Sequence, residues 1–190
     1  MALGNFRITS IVRVNALTNN AGDIVRTQLY LASEANFEPI LKEITYEGDG
    51  TETKVYRATG FDVTAKFQSL PLGLVTAFGK TAVTAGLPTG ETDRVYWMAD
   101  ADAAGVVAGL EVVCSVIDDT ANTNKFLAIV APVGTLSTLT PPAVKTSDKS
   151  ELELKFGAKK TAVDVAGDAL PGVPSGGAFW YYSVLTAVPA

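Results

Sequence analysis

From Phe61 to Gln68 the chain alternates without a break: Phe61, Val63, Ala65 and Phe67 are apolar, and Asp62, Thr64, Lys66 and Gln68 are polar. Successive side chains on a strand point to opposite faces, so this octet turns one face to a core and the other to a polar medium. A helix would scatter the same residues around its axis. Just upstream, Glu47-Gly48-Asp49-Gly50 joins the extended arms LKEITYE and TETKVYRA. Its glycines supply the positive backbone angles of a tight hairpin turn. Just downstream, SLPLGLVTAFGK predicts a short helix over about 69–79. Ser69 fits the N-cap and Pro71 the first turn, Leu70, Leu74 and Phe78 recur at four-residue spacing, and Gly79 stops the helix.

Elsewhere the pattern is strand after strand. Phe6–Val14 and Ile24–Leu31 are β-branched runs separated by an Asn/Gly/Asp loop at 19–23. Phe37–Tyr46 contains Pro39, which suits an edge and not a central strand. Asp93–Met98, Val106–Ile117 (with a possible break at Gly109), Lys125–Val130, Ser150–Phe156 and Phe179–Leu185 complete the series. Val133–Ser150, which includes Pro141-Pro142, has no clear period and is expected to be a long extended connection or arm. Strands that follow strands, with one short flanking helix, imply a mainly β chain, an antiparallel β-sandwich or partly closed barrel. At 190 residues it fits a single domain spanning 1–190.

The chain has no histidine and one cysteine. That excludes a histidine-dependent triad, a His-bound metal and an intrachain disulfide. Cys114 lies in the apolar run VVCSVI and is expected to be a buried structural thiol. Gly48-Asp49-Gly50 lacks the downstream oxygen ligands of a calcium loop. The pairs Asp100/Asp102 and Asp118/Asp119 fall in loops, and Glu151/Glu153 share the solvated face of a strand, so none reads as catalytic. No phosphate-binding glycine motif is present. No enzyme activity, cofactor or metal is expected. Trp97, Trp180, Tyr181 and Tyr182 could form a sugar platform, but core or interface anchors explain them more simply.

Charged residues make up only 18% against 47% hydrophobic, and mean hydropathy is +0.23. No run reaches the ~18 uncharged apolar residues of a membrane helix, and MALGNFRITS has no apolar core of signal-peptide length. The surplus apolar surface is therefore expected to meet protein partners. A net charge of −5 argues against sequence-specific nucleic-acid binding, while leaving room for a surface past which nucleic acid slides.

In order and character, Tyr46–Thr81, RVYWMADADA and TSDKSELELKFGAKK resemble the major tail proteins of long-tailed bacteriophages over roughly residues 40–185. The resemblance implies a structural virion protein, assembled in the host cytoplasm, whose hexameric rings stack into a tail tube that conducts double-stranded DNA. Tape-measure and tail-terminator proteins are the implied partners. It also implies that hairpins, termini or long connections bridge rings. In this chain the candidates are the N-terminal segment, the hairpin 44–58 (with Tyr46, Glu47, Asp49, Thr51, Lys54 and Tyr56) and the connection 133–150. The polar face that carries Asp62 and Thr64 is the candidate lumen lining, although Lys66 on the same face runs against a purely acidic bore. A head-decoration or head–tail joining protein and a carbohydrate-binding sandwich are the alternatives.

Overall fold

The computed structural model describes residues 6–29, 32–48, 51–67, 82–83, 88–90, 94–95, 108–118, 123–140 and 151–189. Among these residues ten strands run in chain order: β1 (Phe6–Asn20), β2 (Asp23–Gln28), β3 (Ala32–Gly48), β4 (Thr51–Phe67), β5 (Ala82–Val83), β6 (Arg94–Val95), β7 (Ala108–Asp118), β8 (Thr123–Thr140), β9 (Leu152–Ala158) and β10 (Tyr181–Leu185). The helix expected at 69–79 lies outside the described residues.

One antiparallel sheet dominates, in the order β2-β1-β7-β8-β9-β4-β3, with β10 also hydrogen-bonded to β8. β5 and β6 form a separate two-stranded pair. Among the described residues the main sheet is open at both ends of that order. Even so, it curls enough that one core gathers Val14 and Val112 from one end with Phe61, Val63, Phe67, Leu154 and Phe156 from the other. The protein is mainly β, as its patterning requires.

The Phe61–Phe67 alternation is realised residue by residue: Phe61, Val63, Ala65 and Phe67 are buried and Asp62, Thr64 and Lys66 are half-buried. β9 repeats it, with Leu152, Leu154 and Phe156 buried and Glu151 and Glu153 exposed. Ala108–Val116 shows no such period because both its faces are covered. Leu110, Val112, Cys114 and Val116 face the main core, and Val113 faces a second one with Leu17, Ala128 and Val130. Val165, Tyr181, Leu185 and Val188 of the last thirty residues cover this second core. Cys114 is buried as expected, and that burial pushes its thiol pKa up.

Local chemistry explains the turns and breaks. β1 and β2 are joined through Ala21 (φ 56°) and Gly22 (φ 97°), the two positive angles of a type I′ turn. Asn19 Oδ1 accepts the Gly22 N–H at 2.9 Å. Pro39 sits on β3, an edge strand that tolerates its missing donor. Gly134 is where β8 parts from β7 and takes up β9, pairing with both Ala108 and Ala158. A methyl group there would collide with the Gly157 carbonyl and the Phe156 ring, so only glycine fits.

One expectation needs correction. Val133–Thr140 is not a loose connection or arm but the second half of β8, hydrogen-bonded to β9 from Gly134 to Thr140. Its period is hidden by a bulge between Leu136 and Thr138 and by Gly134. The remainder of that candidate, 141–150, lies outside the described residues.

Candidate assembly surfaces

The β3–β4 hairpin is longer than its partners. Both strands run 17 residues, but β9 pairs with β4 only over Phe61–Phe67. Beyond a bulge at Thr59, between the pairs Ile40–Gly60 and Leu41–Ala58, the hairpin leaves the sheet as a two-stranded arm. At about 3.3 Å per residue, Leu41–Gly48 reaches roughly 25 Å. Apart from half-buried Ile44, residues 41–46 and 52–58 are exposed.

The arm has two distinct faces, because cross-strand partners share a face. One continues the buried side of the sheet and carries Leu41 with Ala58, Glu43 with Tyr56, and Thr45 with Lys54. There Lys54 Nζ lies 2.9 Å from Glu43 and 3.7 Å from Glu52. The other face carries Lys42 with Arg57, Ile44 with Val55, and Tyr46 with Thr53. Tyr46 and Tyr56 are 58% and 59% exposed, on opposite faces. Of the candidate bridging residues, Tyr46, Lys54 and Tyr56 thus stand on the arm. Glu47 pairs with Glu52 and Thr51 with Gly48 at its tip. Asp49 lies outside the described residues.

A two-stranded ribbon is marginal alone in water. This one exposes apolar groups on both faces. Exposed apolar side chains of this kind make the arm a candidate contact surface.

The second surface is the polar face of β3, β4 and β9. Glu34 pairs with Lys66, Asn36 with Thr64, Glu38 with Asp62, and β9 adds Glu153 beside Lys66 and Lys155 beside Thr64. Asp62 and Thr64 therefore do share one face, and it holds four carboxylates to two lysines. The lysines are both engaged: Lys66 Nζ donates to Glu34 at 2.9 Å, and Lys155 Nζ lies 3.2 Å from Asp62. The hydrogen bond from Lys66, helped by one from Asn36, holds the Glu34 carboxyl below the ordinary glutamate range. The same contact pushes Lys66 up. A depressed folded-state pKa means the pair contributes at neutral pH and is lost as pH falls through the folded value. Both groups are solvent-screened, so little stability is at stake. Lys66→Ala is expected to raise the Glu34 midpoint toward the ordinary range in a carboxyl NMR titration, with the Asn36 hydrogen bond still in place; an unmoved midpoint would refute the assignment.

Patterning had not singled out a third cluster. Glu111, only 3% exposed, accepts from Asn15 Nδ2 at 2.7 Å and from Arg26 Nε at 3.2 Å. It ties β7 to β1 and to the edge strand β2. Its signal in the sequence was the single charge within Ala108–Ile117. Asn15 Oδ1 is buried without a hydrogen-bond partner among the described residues.

Of the aromatics expected to be core or interface anchors, with a sugar platform as the alternative, Trp180 and Tyr182 are 40% and 48% exposed, and Tyr181 is half-buried in the second core. They end a row of rings in which Phe37, Phe61, Trp180 and Tyr182 follow at 6.3, 5.7 and 6.3 Å. Trp97 lies outside the described residues. Among the described residues no cluster of three or more His, Cys, Asp or Glu could hold a metal ion, and no helix is long and apolar enough to cross a membrane.

No protein-family model matches the chain, and no curated protein matches it. Among solved structures, it is similar to a chain of an extracellular contractile injection system, a PVC sheath–tube complex in the extended state. The TM-score is 0.41 and the identity 10%, over 78% of this chain and 85% of that one.

Proposed function

We propose that the protein is a structural subunit that self-assembles into stacked, hexameric rings, forming the tube of a phage-type tail. The observation that carries this reading is the arm, a ribbon of roughly 25 Å that leaves the sheet with apolar side chains exposed on both faces. At about 10 Å wide, its two faces offer on the order of 500 Å² before edges and tip are added. One side of a standard protein interface buries about 800 Å². The arm supplies most of such a side.

An arm that docks on a different surface of the next copy makes a head-to-tail contact, which propagates into a filament instead of closing. The tape-measure and terminator proteins would be the tail partners that set its length and end. The polar face of β3, β4 and β9 would line the lumen. Its excess of carboxylates repels phosphates, and its neutralised lysines leave DNA nothing to grip. Glu38→Lys with Glu153→Lys is expected to slow genome release from assembled particles, and unchanged release kinetics would contradict an electrostatic role.

Negative-stain microscopy of the purified protein separates this reading from its rivals. Hollow tubes are expected. Closed trimers or single rings would indicate a head-decoration or joining protein, and monomers that bind glycans would indicate a carbohydrate module built on Trp180 and Tyr182.

A further inference from the structure

The two edges of β8 are used unequally. β7 takes one edge from Thr123 to Gly134. On the other, β9 takes Gly134–Thr140 and β10 takes Phe126–Val130. β9 and β10 therefore occupy the same column of the sheet, one beyond the other. The far edge of β9 is filled by β4, but only over Phe61–Phe67. Where β10 takes over the column, β4 has become arm and has no partner on that side among the described residues. β10 in turn bonds only to β8 among them. Two unpaired strand edges thus look toward each other across a split in the sheet. The stacked rings of Phe61 and Trp180, 5.7 Å apart, mark its apex.

An open edge presents a row of N–H and C=O groups that will pair with another strand unless guarded. β3 is guarded by Pro39 and by charges, and β2 by Asp23 and Arg26. β10 reads YYSVL, with no charge, no proline and no bulge. A groove of about 420 Å³ runs against it, lined by Leu170, Pro171 and Val173 and by Tyr181, Tyr182 and Ser183. Neighbouring strand residues alternate in face, so three in a row line a groove only if it follows the strand edge.

We infer that the open edge of β10 receives the free β4 edge of the arm, Thr51–Ala58, from a second copy of this chain. The inference rests on the self-assembly reading and names the acceptor for the arm. The occupant is a second copy because the chain carries both halves of one unmade pairing. Its own arm diverges at the Thr59 bulge, whereas an identical arm from outside can approach freely. The surfaces also match. Of the eleven exposed large apolar residues among those described, seven lie on the arm or at Trp180, Tyr182 and Val184. Tyr181 and Leu185 pack into the second core, so Tyr182 and Val184 lie on the opposite face, the one from which the Tyr56 face of the arm continues. Antiparallel addition sets Tyr56 of one copy beside that row on the next, burying both.

The test is cysteine cross-linking in the intact protein, where native Cys114 is buried. Tyr56→Cys is mixed with Tyr182→Cys or, to cover a register offset, with Val184→Cys, and assembled under mild oxidation. Disulfide-linked heterodimers several-fold above each variant alone support the proposal. Tubes that form without heterodimers would overturn it and leave self-assembly standing, with the arm seated elsewhere. A linkage within single molecules of the Tyr56→Cys/Tyr182→Cys double variant, at concentrations too low for assembly, would overturn it in favour of the chain's own arm closing the split. No assembly by any variant or by the parent would sink both readings.

Discussion

Deleting Gly48–Thr53 is expected to leave a folded protein that does not form tubes. The fold survives because the deletion removes only the arm's tip. Tyr46, Glu52 and Thr53 lie beyond the reach of β9, and no residue there belongs to either core. Assembly fails because the shortened ribbon loses exposed Tyr46 from its register and about a third of its contact length. Circular dichroism should be unchanged while microscopy shows particles and no tubes. Normal tubes from the deleted protein would show that the arm is not a contact between subunits.

The largest loss of stability is expected from Phe156→Ala. Its ring is fully buried in the main core beside Gly134, at the point where β8 acquires β9 as a neighbour. Truncating a buried Phe removes its transfer free energy and leaves a cavity, together costing about 3–5 kcal/mol. Against a total of roughly 5–15 kcal/mol, that is a large fraction. The measurement is urea unfolding in the arm-deleted background, where association does not confound the midpoint. A loss under about 1 kcal/mol would mean the site is not tightly packed. Both experiments separate the body of the protein, held by its cores, from the arm, which contributes to neither.

What could be read in the sequence tracks how locally each feature is determined. The alternation at Phe61–Phe67 was legible because β4 there is covered on one face only, and the edge position of β3 because Pro39 forbids a central one. The hairpin was legible from its turn. Its length beyond the sheet was not, since that depends on where β9 ends, at Ala158, a hundred residues away. The second half of β8 was misread because Gly134 and a bulge interrupt its period. For Glu111, a lone charge in an apolar run signalled something. Its partners Asn15 and Arg26 come from strands that only the topology brings together. For the assembly surfaces, composition indicated surplus apolar area, and the fold supplied its location. The split between β10 and the arm left no trace in either strand's own sequence, being a property of which neighbour fills which column.

Hydrogen exchange across Ile40–Ala58, compared between dilute and concentrated protein, bears most directly on whether the arm is an assembly contact. The outward amides of an unaccompanied ribbon should exchange fast when molecules are apart and slow markedly once they associate. Equally fast exchange of this segment in a sample that has demonstrably assembled would contradict the account.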